Sequence, residues 1–431
     1  MYWNCEIETL TTDNLKGLQL ERLRRTVARA GQSQFYGQRL EQAGIVPDDL
    51  GSLEDIRMLP FTTKDDLRTS SLQMLTTPLK EIIRLHASSG TTGQATVIYY
   101  TRTDIELWAD LVARSLYMTG MRQEDVFQNM MGYGLFTGGL GFHYGAERLG
   151  ALTIPAGAGN SKRQVQLMRQ FNVTAIHIIP SYALFLLQTF EELGVDPRDL
   201  PLRLAYIGAE PYSDATRRRI EAAYGVKAYN CYGLSELNGP GVAFECPEQN
   251  GSHVWEDSYL IEVLDPSTLD PVPPGTVGEL VFTNLTRQGM PLLRYRSRDL
   301  ASYDDRPCPC GRSSRRISRI QGRTDDMIIL KGVNIFPIQI DRVLMRLPEV
   351  ASNYLIEMQQ TGGNDQMVIK VEVKQEYFSE DLAYLKGLQK RITEALKSEL
   401  LVTPRVDLVE HNSLPRTEGK AVRVVDSRPK A

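Results

Sequence analysis

The sequence predicts an α/β protein: a large N-terminal domain with parallel sheet layers and an antiparallel subdomain, followed by a small α+β C-terminal domain. Three observations lead there. From about residue 80 to 240, short β-rich runs alternate with amphipathic stretches, the pattern of a parallel sheet flanked by helices. Beyond residue 250 the strands are separated by Gly/Pro turns (YLIEVLDPSTLDPVPPGTVGELVFTNL), which suits antiparallel pairing. The length of 431 residues exceeds what one core holds, at roughly one domain per 150 residues.

The elements follow in order. Residues 1–75 read as a helical segment: NLKGLQLERLRRTVARAGQ has apolar residues at helical spacing, and SLEDIRMLPFTTKDDLR supplies turn and cap signals. IIRL, ALTIP, TAIHIIP, RLAYIG and VKAYN are the strand candidates of the parallel layer, with SKRQVQLMRQF and SDATRRRIEAAYG as helices between them. Ligands then belong at the carboxyl ends of those strands. The charged stretch RIQGRTDD marks a boundary near Gly322, dividing the chain into 1–321 and 322–431. The second part reads as a strand MIILKG, a helix IQIDRVLMRL, strands SNYLIEM and QMVIKVEVK, a long helix and a strand RVDLVE. There are no internal repeats.

Composition excludes several classes. A hydrophobic fraction of 42% and a charged fraction of 24% suit a folded protein and not a disordered one. The net charge of −4, with both signs mixed along the chain, leaves no footprint for nucleic acid or an anionic membrane, so a phosphate-bearing ligand must be met locally. MYWNCEIETL lacks a basic-then-apolar leader, and the apolar stretch from Ala175 to Leu187 is broken by His177, Pro180 and Ser181; a cytoplasmic protein is expected. Five cysteines do not suggest a disulfide framework in a chain of this size. A homodimer stays open.

The sharpest local feature is Ser88, Ser89, Gly90, Thr91, Thr92, Gly93, Gln94, Ala95 and Thr96. Its glycines let the backbone approach a ligand and its hydroxyls donate hydrogen bonds, as a phosphate cradle requires. It is not the loop of the nucleotide hydrolases: no Lys follows the second Gly, and VIYY reads as a strand where that motif needs a helix. The same composition also suits a plain surface loop.

This run resembles the phosphate loop of the adenylate-forming superfamily, and further motifs follow in that family's order. Tyr229-Asn230-Cys231-Tyr232-Gly233-Leu234-Ser235-Glu236 resembles its aromatic, Gly, hydroxyl, Glu signature, which implies a ring on adenine and Glu236 on Mg²⁺. Gly208, Ala209, Glu210 and Pro211 resemble the adenine-side loop, and Asp299 in YRSRD the residue that accepts from the ribose hydroxyls. Arg323 and Asp325 in GRTDD resemble the hinge, with Arg323 near the nucleotide and Asp325 as pivot of a mobile C-terminal domain. Lys420 in PRTEGK resembles the catalytic Lys. Six motifs in order, spanning residues 88–420, are specific where each alone is weak.

HASSGTTG, YGLSELNGPGVAFEC and GRTDDMIILKGVNIFP look like the phenylacetate:CoA ligase branch of that superfamily. The branch implies ATP, Mg²⁺ and CoA, with an aryl-acetic acid activated as its adenylate, pyrophosphate released, and the acyl group passed to the CoA thiol. It also places Tyr133, Phe136, Gly138 and Phe142 at the acid pocket, although aromatic residues are also buried for packing alone. The loop Lys331, Gly332, Val333 would then lie by the pantetheine. Gln94 stands where many relatives carry a Lys, so one cation against the leaving pyrophosphate is missing. Two other readings stay open: an adenylating enzyme for another aromatic acid or a carrier-protein acceptor, and a noncatalytic nucleotide-binding descendant.

Cys246, His253, Cys308 and Cys310 supply three thiolates and an imidazole in two turn-rich segments, a donor set suited to structural Zn²⁺, though unliganded reduced cysteines give the same sequence. His86 precedes the phosphate loop and His143 follows the aromatic Gly-rich run, so either is near ligand; His177 reads as a core histidine, and His411 has no assignment.

Overall fold

The computed structural model describes residues 1–88, 95–330, 332–361, 364–378, 381–415 and 422–428. The fold is mixed α/β, as expected. The helices Thr12–Ala30 and Gln34–Ala43 begin at Thr11 and Ser33, whose hydroxyls accept from Asn14 N and Tyr36 N. Leu15, Leu23, Val27 and Ala30 form the buried face of the first, the spacing read from the sequence. Gln19 and Thr26 then tie that helix to the main body by donating to the Glu256 and Leu285 carbonyls at 2.9 and 3.2 Å.

A nine-stranded sheet forms the centre. Its parallel part runs, in spatial order, Lys227–Tyr232, Leu204–Gly208, Ala175–Ile178, Val126–Asn129 and Leu152–Ile154. Past Lys227–Tyr232 it continues antiparallel through Ala243–Glu245, Ser252–Val254, Arg316–Ile317 and Tyr303–Asp304. Two details differ from the sequence reading. IIRL belongs to the strand Ile82–Ser88, which pairs antiparallel with Thr96–Thr101 in a two-stranded hairpin outside the parallel layer. Val126–Asn129, absent from the candidates, occupies the layer instead. Its polar half disguised it: Gln128 and Asn129 are fully buried, with the Gln128 Nε2 donating to Gln164 Oε1 at 2.7 Å and the Asn129 Nδ2 to Gly139 O at 2.7 Å.

Between sheet and hairpin, the helices Arg102–Met118 and Thr137–Leu149 cross closely. A Cβ at Gly141 would lie 2.5 Å from the Trp108 ring, and one at Gly145 would lie 2.4 Å from Val112, so only hydrogen fits at that crossing. A second, antiparallel sheet is built from Tyr259–Leu264, Gly278–Asn284, Tyr295–Ala301 and Gly322–Arg323. Residues beyond 328 gather their own hydrophobic core around Ile356, Met358, Ile369, Val371, Ile392 and Leu396. There the helices Pro337–Leu344 and Leu382–Leu400 accompany a four-stranded sheet of Arg405–Val409, Asn364–Val373, Val350–Thr361 and Val424–Asp426. No helix among the described residues is long and apolar enough to cross a membrane.

Candidate active site

Three of the predicted segments meet at the carboxyl ends of the central strands. Leu204–Gly208 ends in Gly208, followed by Ala209 at φ +67°, a left-handed conformation that costs a non-Gly residue about 1–3 kcal/mol. Glu210 turns back, its carboxylate accepting from Ser181 N at 2.7 Å and Ser181 Oγ at 3.1 Å. Pro211 is exposed beside it. The neighbouring strand Lys227–Tyr232 ends at Tyr232, and Gly233 lets the chain fold back on Gly239, where a Cβ would sit 2.4 Å from Gly239 Cα.

Tyr232, Asp299, Arg323 and Asp325 form one connected group. Tyr232 Oη donates to Asp299 Oδ2 at 2.7 Å, and Arg323 Nη1 donates to Asp299 Oδ1 at 2.6 Å. The same guanidinium reaches Asp325 through Nε and Nη2 at 2.9 and 3.1 Å. Strand pairing sets Arg323 directly opposite Asp299. Burial raises the Asp299 carboxyl above the ordinary carboxylate range despite the pull of Arg323 and Tyr232. For Asp325 the balance reverses: burial pushes up, but Arg323 holds the carboxyl below its usual value.

Glu236 lies in the short turn Ser235–Leu237 and is 5% exposed. Arg287 donates to its backbone carbonyl at 2.7 Å and also engages Asn238, while burial and the nearby Glu236 carboxylate push the Tyr295 hydroxyl well above its usual value. The hydroxyls of Ser235 and Thr137 are 3.3 Å apart, so the start of the Thr137–Leu149 helix touches this turn. Tyr229 lies apart from the Asp299 group, packed in the core with its ring 6.5 Å from Tyr206.

The acid-side residues divide between loop and core. Tyr133 is half-buried and Phe136 is 52% exposed, on the loop that His86 Nδ1 and Ala87 N anchor through the Leu135 carbonyl, both at 3.0 Å. Gly138 is in the first turn of the next helix, with Met131 alongside. Phe142 is fully buried, stacked on His177 with ring centroids 3.7 Å apart. Sequence reasoning missed Asn129, although a polar Gln-Asn pair directly after the apolar Val126 and Phe127 and just before the Gly-rich run was a signal. Its Nδ2 donates to Tyr133 Oη at 3.0 Å and to Gly139 O at 2.7 Å, and its Oδ1 accepts from His177 Nδ1 at 3.1 Å and Met131 N at 3.3 Å. His143 continues the chain, 3.4 Å from Tyr133 Oη through Nδ1 and 3.0 Å from Glu147 through Nε2. Burial pushes the Tyr133 hydroxyl up to about 12, so it stays a donor at neutral pH.

Of the phosphate loop only Ser88 and its far flank, Ala95 and Thr96, are described; the Ser88 and Thr96 hydroxyls are buried without a hydrogen-bond partner among the described residues. Ser89, Gly90, Thr91, Thr92, Gly93, Gln94, Lys331 and Lys420 lie outside the described residues. Gly332, at φ +79°, joins the paired strands Ile328–Leu330 and Val333–Ile335. A cleft of about 620 Å³ opens between Ser213, Ser302, Arg319 and Arg342.

The four predicted metal donors come together, all ligand atoms within 4.8 Å of one another. Adjacent strands do this: Cys246 follows Ala243–Glu245, His253 sits on Ser252–Val254, and Cys308 and Cys310 lie in the turn before Arg316–Ile317. Cys246 Sγ and Cys308 Sγ are 3.7 Å apart, too far for a disulfide and close to the roughly 3.8 Å edge of a tetrahedron with zinc–sulfur bonds of about 2.3 Å. His253 Nε2 lies 3.3 Å from Cys310 Sγ. His253 Nδ1 points the other way, to the Ser314 carbonyl at 3.0 Å, a contact that puts the proton on Nδ1 and leaves the Nε2 lone pair facing the cysteines.

Comparison with known proteins adds the following. The sequence model of the AMP-binding enzyme family matches residues 43–286, and that of the AMP-binding enzyme C-terminal domain matches 332–428. The phenylacetate-coenzyme A ligase of Thermus thermophilus is 44% identical over 99% of this chain and all of its own length. That of Escherichia coli is 42% identical over 98% of this chain and 97% of its own. Among solved structures, 2-hydroxyisobutyryl-CoA ligase in the postadenylation state with 2-HIB-AMP is 31% identical, with a TM-score of 0.94 over 99% of this chain and 92% of its own. The same ligase with 2-HIB-AMP and CoA in the thioesterification state is 32% identical over the same shares and scores 0.74.

Proposed function

This chain belongs to the AMP-binding, adenylate-forming enzyme family, and from that membership we propose that it is an ATP-dependent, AMP-forming acid:CoA ligase whose acid is an aryl-acetate, phenylacetate first. The observation that carries the reading is likeness along the whole chain: four phenylacetate-CoA ligases are 42–44% identical over at least 98% of it.

In the first half-reaction a carboxylate oxygen attacks the α-phosphorus of ATP and pyrophosphate leaves. In the second the CoA sulfur attacks the adenylate carbonyl, the thioester forms, AMP leaves and the thiol proton is released. Joining anions makes positioning and charge neutralisation the main tasks. Backbone amides and hydroxyls from Ser88 to Thr96 cradle the phosphates, sufficing without the Lys that Gln94 replaces. Gly208, Ala209, Glu210, Pro211 and Tyr232 flank adenine, and Asp299 takes the ribose hydroxyls in place of contacts it now makes with Tyr232 and Arg323. Glu236, a buried hard oxygen donor, would hold the Mg²⁺ that neutralises phosphate charge. Tyr133, Phe136 and Gly138 receive the acid, with Phe142 and Tyr229 backing the two walls from the core. Lys420 bridges carboxylate and phosphate; residues 322–431 then turn about Asp325 and bring Lys331, Gly332 and Val333 toward the pantetheine.

Acid-dependent ATP–pyrophosphate exchange tests this across phenylacetate, hydroxyphenylacetates, indoleacetate, benzoate and fatty acids, followed by thioester formation with CoA. Phenylacetate should lead; no exchange with any acid would refute the ligase reading. Lys420→Ala should abolish exchange yet still convert supplied acyl adenylate to thioester, and equal loss of both steps would remove the two-state account.

The Cys246, His253, Cys308 and Cys310 cluster is read as a structural Zn²⁺ site, with the cytoplasm as the compartment that keeps its thiols reduced. Elemental analysis of chelator-washed native protein should find one zinc per chain; a metal-free result removes the assignment.

A further inference from the structure

The helices Asp214–Tyr224 and Pro337–Leu344 exchange polar groups between the two parts of the chain. Asp341, 6% exposed, faces the start of the first helix: its Oδ2 accepts from Ser213 N at 3.1 Å and from the Thr216 hydroxyl at 3.2 Å. Its Oδ1 is 3.4 Å from Tyr354 Oη, within its own part. Ser213 is the N-cap of Asp214–Tyr224, so Asp341 adds a full negative charge to a helix N-terminus it meets only through tertiary docking. The contact is returned from the other end. Arg219, on Asp214–Tyr224, donates to the Leu347 carbonyl at 2.7 Å and the Val350 carbonyl at 3.2 Å, just past the end of Pro337–Leu344. Between the two, Ala215 packs into the C-terminal hydrophobic core. An anion at one helix start and a cation on carbonyls beyond the other's end fix register and direction, which an apolar contact alone leaves free to slide.

Two further facts give this pair a bearing on the reaction. Ser213 lies two residues beyond Pro211, so docking takes place beside the loop proposed to meet adenine. The whole arrangement scores 0.94 against 2-hydroxyisobutyryl-CoA ligase in the postadenylation state and 0.74 against the same ligase in the thioesterification state. Sequence and coverage are nearly the same in the two comparisons, so the gap is one of arrangement.

We propose that Asp341, with Arg219 opposing it, is a positioning latch that holds the C-terminal part in the adenylating arrangement and must open before CoA attacks. The proposal rests on the ligase reading above. The latch acts through the placement of Lys420 and touches none of the three substrates, so its loss should separate the half-reactions.

The test uses the full chain with Asp341→Ala, Arg219→Gln and Thr216→Val, each checked for folding by thermal melt. Asp341→Ala and Arg219→Gln should slow acid-dependent pyrophosphate exchange roughly tenfold, the scale of losing a hydrogen bond to a charged group. Thioester formation from supplied acyl adenylate and CoA should stay at the wild-type rate or rise. Thr216→Val, which removes one hydrogen bond to Asp341 and leaves both charges in place, should show a smaller change of the same sign and decides the matter if either charge variant does not fold. Unchanged exchange in the folded variants, or parallel loss of both half-reactions, overturns the latch alone. Wild-type protein without acid-dependent exchange would defeat the ligase reading, and the latch with it.

Discussion

Asn129 uses every hydrogen-bonding group its amide carries, with two donors given to Tyr133 and Gly139 and two contacts accepted from His177 and Met131. The donor order can be followed outward. His177 Nδ1–H feeds Asn129, Asn129 feeds Tyr133, and the Tyr133 hydroxyl points its proton at His143 Nδ1, whose Nε2–H goes to Glu147. His177, predicted to be a core residue, is 3% exposed, and burial holds its ring pKa down at about 3. Between the unfolded value near 6.5 and the folded value, the unfolded chain binds one proton more, so stability falls as pH is lowered, by about 1.4 kcal/mol per pH unit. His177→Asn keeps a donor toward Asn129 and removes the titration. The urea midpoint of wild type should therefore drop relative to this variant between pH 6.5 and pH 4, and a gap that does not change with pH would contradict a neutral buried His177. The individual motif residues were legible because their chemistry is local to a few positions. Asn129 was not, because its partners arrive from the far end of a loop and from a neighbouring strand.

At the level of elements, the crossing of Arg102–Met118 over Thr137–Leu149 depends on two positions without side chains. A methyl at Gly141 would meet the rigid Trp108 ring at 2.5 Å and Pro240 at 2.8 Å, and Trp108 cannot turn aside because its Nε1 donates to the Pro240 carbonyl at 2.7 Å. Gly141→Ala should cost about 1–3 kcal/mol as the helices are forced apart, seen as a lower melting temperature. It should also weaken phenylacetate-dependent exchange, because the same helix begins at Thr137 against Ser235. A melt equal to wild type would show that the crossing relaxes freely. The helical periodicity and most strands were readable from the sequence because each depends on near neighbours. The misplaced strand was Ile82–Ser88, whose β character was plain but whose partner was not, since pairing direction is decided by what lies across from it.

Across the whole molecule, the first residues are tied to the turn that carries Cys308 and Cys310. Glu8 and Arg312 form an ion pair whose side chains are 0% and 2% exposed, and Tyr2 Oη donates to the Cys310 carbonyl at 3.1 Å. Glu8 also accepts from the backbone amides of Trp3 and Asn4, both at 2.7 Å. Removing one member of a buried pair strands the other, so Glu8→Ala should cost about 3–5 kcal/mol in urea unfolding. A loss below about 1 kcal/mol would mark the pair as behaving like a surface one. If zinc is bound there, chelation should loosen the same N-terminal segment and speed its cleavage by a protease.

The sequence by itself determined the fold class, most of the strands, the succession of motifs and the four Cys and His residues that cluster, because these rest on local periodicity and on residue chemistry at short spacing. Tertiary structure alone decided which distant groups meet. Cys246 and Cys308, 62 residues apart, are joined by strand pairing at a sheet edge, and Ser213 and Asp341, 128 residues apart, by docking of the C-terminal part. Those contacts depend on how finished elements pack, and their energy comes from burial and charge placement across the fold, which no window of sequence contains.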